Sequence, residues 1–332
     1  MKKINIIFSF ILILVLVLLI MFSNSSFAAE FDWKVAGGNP PGALETIATQ
    51  KFCDFVNERS KGQIKLTLYP SFQLGDSMAL MEMVQVGEVE VVANTSSWHS
   101  TLMEDWIILG FPYLIKDNDH LKRVQQSSWF KDIEKRYYDE FHIKILANNG
   151  YRLPRQLLHR SKALTNPEDI IGVRLRKANS KIYVKPWQDF GADVAVIPWA
   201  ETAVALQTGL VEAMGAPDNL IYPQKFYEGA PHITLTGHQR DTFDLFMSSL
   251  HWEKLSPELQ NIMTSSAEEA LTWYSDQMES TWDEHQKLLK EEGVVFHEAN
   301  LDAWRAKTLE IAEKWEEEGE WPKGLYKKIQ DM

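Results

Sequence analysis

Two incompatible periodicities take turns along this chain, and their alternation restricts its fold more than any other feature. FDWKVAG alternates apolar and polar residues with period two, as a half-buried strand does. ALETIATQKFCDFVNERSKG spaces its apolar residues for a helix and stops at Gly62, and QIKLTLYP returns to period two. A turn cluster, GNPPG, separates the first pair. The pattern continues with a helix in MALMEMVQVGE and a short strand and loop in VEVVANTSS. Further on, KIYVKPWQDFG predicts a helix and ADVAVIP a strand. Short strands alternating with amphipathic helices predict α/β layers around largely parallel sheets. Ligands of such folds collect in loops at the carboxyl ends of strands, here GNPPG and NTSSW.

The segment from Ser256 through Glu292 adds a second constraint. It opens with a serine cap, proline at the first helical position and an acidic first turn, then runs free of Pro and Gly to Gly293. A helix of that length spans about 50 Å at 1.5 Å per residue, more than one small domain. It is expected to cross between two domains, the number that about 300 residues ordinarily form. Asp302 to Glu318 is a further charged amphipathic helix carrying Trp304 and Trp315. No flexible linker and no internal repeat is found, so the two domains are expected to share several chain crossings and a restrained hinge.

The N-terminus has basic Lys2 and Lys3, an apolar run from Ile6 to Phe22 and small residues ending in Ser26-Phe27-Ala28. This is the layout of a secretory signal cleaved after Ala28 or Ala29. An uncleaved anchor is the rival, since a span needs about 20 apolar residues. The formal net charge is −12 and grows more negative without the leader's lysines, which argues against a nucleic-acid partner. A single cysteine, Cys53, excludes an internal disulfide and a cysteine-rich metal site; its helical setting in FCDFV suits a buried thiol. GxSxG, HExxH, CxxC, P-loop and GxGxxG motifs are missing, His99 and His232 have no second ligand at i+3 or i+4, and His238 has only Asp241 at i+3, a weak pair by itself. No cofactor and no metal is expected.

Positive charge concentrates in two places: NNGYRLPRQLLHR, with Arg152, Arg155 and Arg160, and GVRLRKANSKIY, with Arg174, Arg176, Lys177 and Lys181. In VRLRK, Val173 and Leu175 should face a core while Arg174 and Arg176 point the other way. An arginine at a strand end suits a carboxylate, because its planar fork offers two parallel charge-assisted donors.

Three segments in order, LTNPEDIIGVRLR, GADVAVIPWAETAVALQTGLVEA and KFYEGAPHITLTGH, resemble the solute-binding proteins of tripartite ATP-independent periplasmic (TRAP) transporters, the DctP-like family. PSFQLGD, MVQVGEVEV and LGFPYLI extend the resemblance over essentially the whole chain beyond the leader. It implies a two-domain periplasmic binding protein fold with a hinge, a ligand cleft between the domains and a long domain-spanning helix. The expected division is residues 1–29 as signal peptide, 30–153 with 242–282 as the first domain, and 154–241 with 283–332 as the second.

The implied function is non-enzymatic capture of a small organic acid in the periplasm by a monomer, for delivery to TRAP permease subunits driven by an ion gradient. Arg176 falls on the family's signature carboxylate-binding arginine. Arg155 or Arg152 takes a second arginine role, one residue of insertion leaving the choice open. Asn39, Thr95, Trp98, Asn179, Ser180, Trp199 and Phe243 are further candidate ligand contacts. Ala216 stands where the family often has a ligand-facing asparagine, with Asp218 or Asn219 as possible substitutes. The remaining basic residues of the second cluster, Arg174, Lys177 and Lys181, are expected to be solvated. Trp98, Trp187 and Trp199 near the cleft favour a polyhydroxylated sugar acid such as a hexuronate or aldonate. A C4-dicarboxylate, an aromatic acid or an ectoine-like zwitterion are alternatives, and a secreted carbohydrate-active enzyme or a sensor subunit are rival functions.

Overall fold

A computed structural model describes residues 29–332; the expected leader up to residue 28 lies outside the described residues. Eleven strands follow in chain order: β1 (Phe31–Gly37), β2 (Ile64–Tyr69), β3 (Val91–Thr95), β4 (Ile143–Tyr151), β5 (Arg155–His159), β6 (Arg174–Lys177), β7 (Asp193–Val196), β8 (Ala213–Pro217), β9 (His232–Gln239), β10 (Thr242–Ser248) and β11 (Val295–Glu298). They form a five-stranded sheet ordered β2-β1-β3-β10-β4 and a six-stranded sheet ordered β11-β9-β5-β8-β6-β7.

Each sheet is parallel except for one strand, β10 in the first and β5 in the second. The exceptions have a common cause. β4 passes through residues 152–154 straight into β5, and β9 passes through residues 240–241 straight into β10, so each chain enters its new sheet running against the neighbours it finds there. At the crossings the Arg152 amide donates to the Asp241 carbonyl at 3.3 Å, and Arg152 Nη1 donates to Asp241 Oδ1 at 3.0 Å.

The helices needed below are α1 (Leu44–Arg59), α2 (Ser77–Val86), α3 (Asn118–Gln126), α4 (Ser128–Phe141), α5 (Lys181–Asp189), α6 (Thr202–Thr208), α7 (Pro257–Glu291), α8 (Leu301–Glu318) and α9 (Leu325–Gln330). The capping signals read from sequence act as expected in α7: the Ser256 hydroxyl accepts from the Leu259 amide at 3.3 Å and Pro257 takes the first position. Its 35 residues touch two cores. Met263, Leu271 and Tyr274 pack with Phe52 of α1 against the first sheet, whereas Leu289 packs with Leu158 and Ile233 of the second. A third core runs continuously under both sheets, from Val92 and Trp106 to Leu175 and Trp304. The chain end closes over it, with Trp315 and Trp321 against Phe111 at ring distances of 5.1 Å, and the Ile329 carbonyl meeting His120 Nε2 at 2.8 Å.

Cys53 is fully buried on α1, and burial pushes its thiol up to about 12, so it is a packing residue. No described helix is long and apolar enough to cross a membrane.

Candidate functional site

The carboxyl ends of strands from both sheets meet around a cavity of about 350 Å³, within the range of about 300–1,000 Å³ usual for small-molecule sites. The first sheet supplies Asn39 after β1, Asn94 and Thr95 at the end of β3, and Trp98 in the turn beyond. Phe72 closes that wall from a tight turn in which Ser71 and Phe72 both take left-handed backbone (φ 57° and 58°). Its ring lies where a side chain on Gly38 would be, 2.4 Å from an added Cβ, so any other residue there would push the ring aside. The second sheet supplies Arg176 and Lys177 at the end of β6, Tyr183 of α5, Trp199 after β7 and Gly215 of β8, with Arg152, Arg155 and Phe243 at the crossings.

The charge on these walls is unbalanced. Arg152 is paired twice, with Asp241 at 3.0 Å and Glu45 at 3.6 Å. Burial works against its charge, but Asp241 and then Tyr274 and Glu45 more than offset this and hold its proton tighter than usual. Arg155, Arg176 and Lys177 are equally buried, yet no carboxylate lies within ion-pairing distance of them among the described residues. Arg155 donates Nη2 to the Gly215 carbonyl at 2.6 Å, and its Nε has no partner.

Arg176 Nε and Nη2 both donate to the Ile197 carbonyl, at 2.8 and 2.6 Å, and its guanidinium carbon sits 5.4 Å from the Trp199 ring centre. The side-on edge of the fork is therefore engaged, which leaves the Nη1 and Nη2 end for a carboxylate. Burial and the neighbouring Arg155 push Arg176 down to about 9. Lys177 Nζ lies 3.7 Å from the centre of the Trp187 ring and makes no hydrogen bond among the described residues. Burial, then Arg155 and Arg176, press its ammonium well below the ordinary lysine range. Buried cations without counter-charges are costly, several kcal/mol each, so the cluster is electrostatically incomplete until an anion enters.

Polar atoms without partners add to the demand. Asn94 Nδ2, Thr95 Oγ1 and Trp199 Nε1 are buried on cavity-lining residues and have no hydrogen-bond partner within the protein. Buried polar groups are ordinarily satisfied, so such a set marks positions for ligand hydroxyls or carbonyls.

The structure brings Asn39, Thr95, Trp98, Arg155, Arg176, Asn179, Trp199 and Phe243 to one cavity. Asn179 sits at its rim, with Nδ2 3.8 Å from Met78 Sδ on the opposite wall. Between the two arginine candidates, Arg152 is committed to Asp241 and Glu45, and Arg155 is the one free of carboxylates. Five expectations need correction. Ser180 heads α5 and does not line the cavity. Asn219 also stays off the wall, because its amide donates to Glu45 Oε1 at 2.9 Å. Asp218 accepts from Gln156 Nε2 at 3.0 Å, and burial raises its carboxyl to about 8. Trp187 is buried behind Lys177 rather than in the cavity.

Lys177 itself is the fifth and largest correction. Arg174 and Lys181 are exposed as expected, but Lys177 is buried. The missed signal was the alternation itself: Val173, Leu175 and Lys177 share one parity, so Lys177 had to follow its two predecessors into the protein. Asn94, Phe72, Tyr183 and Gly215 were also missed.

The fold and this site define a two-lobed binding protein. Residues 35–318 match the family model for "Bacterial extracellular solute-binding protein, family 7", and the chain belongs to that family. It is a solute-binding protein of the TRAP transporter type and not an enzyme. The chain is 28% identical over 281 residues to the 2,3-diketo-L-gulonate-binding periplasmic protein of Escherichia coli, covering 82% of each. It is 26% identical over 264 residues to the sialic acid-binding periplasmic protein of Vibrio cholerae, covering 80% of this chain and 82% of that one. Among solved structures, a TRAP solute-binding protein of Actinobacillus succinogenes with bound L-galactonate superposes with a TM-score of 0.83 at 25% identity, over 90% of this chain and 98% of its own. One from Roseobacter denitrificans with bound β-D-glucuronate gives 0.84 at 21% identity, over 90% and 99%.

Proposed function

We propose that this chain captures a hydroxylated sugar acid in the periplasm, as a monomer, and hands it to the permease subunits of a TRAP transporter driven by an ion gradient. The observation that carries the reading is the cation cluster without carboxylates, facing a cavity whose Asn94, Thr95 and Trp199 offer unpartnered polar atoms. The end of the Arg176 fork takes the ligand carboxylate, Arg155 adds a further cation without a carboxylate to the cavity wall, and the rings of Trp98 and Trp199 cover the carbon skeleton. Asn39, Asn179 and Phe243 complete the walls. Relatives named for 2,3-diketo-L-gulonate and sialic acid, and solved structures holding L-galactonate and β-D-glucuronate, support this ligand class.

The lobes we assign are residues 30–153 with 242–282 and residues 154–241 with 283–332. The ligand favours a closed arrangement by contacting both walls, since it shifts such an equilibrium only by its differential affinity for the two states.

Calorimetric titration with D-glucuronate and L-galactonate, on wild type and Arg176→Lys, tests the proposal. Lysine keeps the charge but not the fork, and losing a hydrogen bond to a charged group costs about 1.5–3 kcal/mol, or about 10-fold to 150-fold in affinity. Wild-type affinity in the variant refutes the role of Arg176, and consumption of the acid during incubation refutes capture without chemistry.

A further inference from the structure

The three cations without carboxylates are not gathered at one point. Arg176 is held at one pole, by the Ile197 carbonyl and against Trp199. Arg155 and Lys177 converge on a second pole, at Gly215 of β8. Arg155 Nη2 donates to the Gly215 carbonyl at 2.6 Å, and Lys177 Nζ lies 3.2 Å from where a Cβ on Gly215 would be. Any side chain at 215 would crowd this ammonium and the neighbouring His238 Nε2, also 3.2 Å away, so the glycine keeps the second pole open.

No carboxylate pairs with that pole among the described residues: Arg155 has the Tyr183 ring 5.7 Å from its guanidinium carbon and the field of Asp241, a carboxylate already paired with Arg152. His238 donates or accepts only toward Thr236 Oγ1, at 2.8 Å, and its Nε2 has no partner. Burial, then Lys177 and Arg155, hold the imidazole neutral, well below its ordinary range. Trp187 presents its face to Lys177 at 3.7 Å, and this supports a cation without cancelling its charge. The acid on the cavity wall, Asp76, is engaged at the start of α2, where its Oδ1 accepts from the Ala79 amide at 3.0 Å.

A ligand with one carboxylate at Arg176 would leave Lys177 and Arg155 buried, adjacent and unneutralised. We infer that the preferred ligand is a hydroxylated dicarboxylic acid, an aldarate-type sugar diacid, whose second carboxylate is received by Lys177 and Arg155 at Gly215. This rests on the sugar-acid reading above and narrows it. Lys177 is then the residue that separates diacids from monoacids, because Arg155 and Arg176 serve either. The unpartnered Asn94, Thr95 and Trp199 atoms between the walls select hydroxylated diacids over a bare chain such as succinate.

The test is calorimetric titration of the mature protein, stripped of co-purified ligand, with D-glucarate, D-glucuronate and succinate, on wild type, Lys177→Met and Lys177→Gln. Wild type is expected to bind glucarate at least about tenfold more tightly than glucuronate, the minimum for one further buried charge contact. Both variants are expected to bring the two sugar acids within about threefold of each other by weakening glucarate alone, the Lys177 contribution having been removed. Thermal unfolding confirms that each variant is folded.

Equal or tighter binding of glucuronate by wild type overturns the inference and leaves the sugar-acid reading standing. So does a variant that weakens both acids equally, since Lys177 would then act by positioning its neighbours. Failure of both sugar acids to bind, whatever succinate does, overturns the sugar-acid reading, and this inference falls with it.

Discussion

Replacing Lys177 by Met in the ligand-free protein should raise its stability, against the usual outcome of a core substitution. Lys177 is 4% exposed and meets no carboxylate, while its stem fills a volume that Met nearly matches. A single buried ion without a counter-charge costs several kcal/mol, about 3–4 kcal/mol, and an apolar residue of matching volume removes that cost. Against this stands the ammonium on the Trp187 face, worth about 2 kcal/mol when desolvated. The balance favours the variant by about 1–2 kcal/mol, or about 2–6 °C in Tm for a chain of this size.

The sign depends on pH. The native state binds the Lys177 proton more weakly than the unfolded chain does, whose lysine keeps a value near 10.5. Below the native value both states are protonated and the whole cost is present; between the two values the unfolded chain holds more protons, so wild-type stability climbs with pH. The Tm advantage of Lys177→Met should therefore be largest at neutral pH and below, and shrink toward pH 10. His238 responds as well, because after burial Lys177 is one of the charges that depress it; its value rises in Lys177→Met, which adds to the variant's advantage only below the ordinary histidine range, so the trend above about pH 7 belongs to Lys177. Scanning calorimetry on stripped protein across about pH 6 to 10 checks this. A variant less stable than wild type at neutral pH, or an advantage that grows toward pH 10, refutes the account of Lys177 as an unneutralised cation.

Asp241→Asn leaves Arg152 buried with only the longer contact to Glu45, and urea denaturation should show a loss of about 3–5 kcal/mol; a loss below about 1 kcal/mol would show that the crossings do not depend on this pair. Gly215→Ala puts a methyl 3.2 Å from both Lys177 Nζ and His238 Nε2, and overpacking of this kind costs about 1–3 kcal/mol. Ligand affinity by calorimetry should fall with it, and an alanine variant that binds as wild type does would mean the pole at Gly215 receives nothing.

What could be read from sequence divides by the range of the interactions involved. The α7 helix was legible because its cap, first-turn acid and stop at Gly293 are all local. The position of Arg176 followed from period two and the motif around it. The choice between Arg152 and Arg155 was not legible, since it turns on Asp241, 89 residues beyond Arg152. Asn219 misled for the same reason: its partner Glu45 lies 174 residues earlier, so nothing near it in sequence signals that its amide is already taken. Lys177 is different. Its burial followed from the same alternation that buried Val173 and Leu175, and its charge alone argued against following the pattern inward.

β10 lies between β3 and β4, although the chain makes it only after five strands of the other sheet. The first sheet therefore has a gap through its middle until residue 248 is available, and its core lacks Phe243, Leu245 and Met247 along with everything α7 contributes. An emerging chain cannot complete its N-terminal lobe early, because the strand that joins the two halves of that sheet arrives late and by a long-range contact, which is slow to form. For an extracytoplasmic protein this postponement is useful: the strand order keeps a partly made chain unfinished, and so suited to passage through a narrow translocation pore.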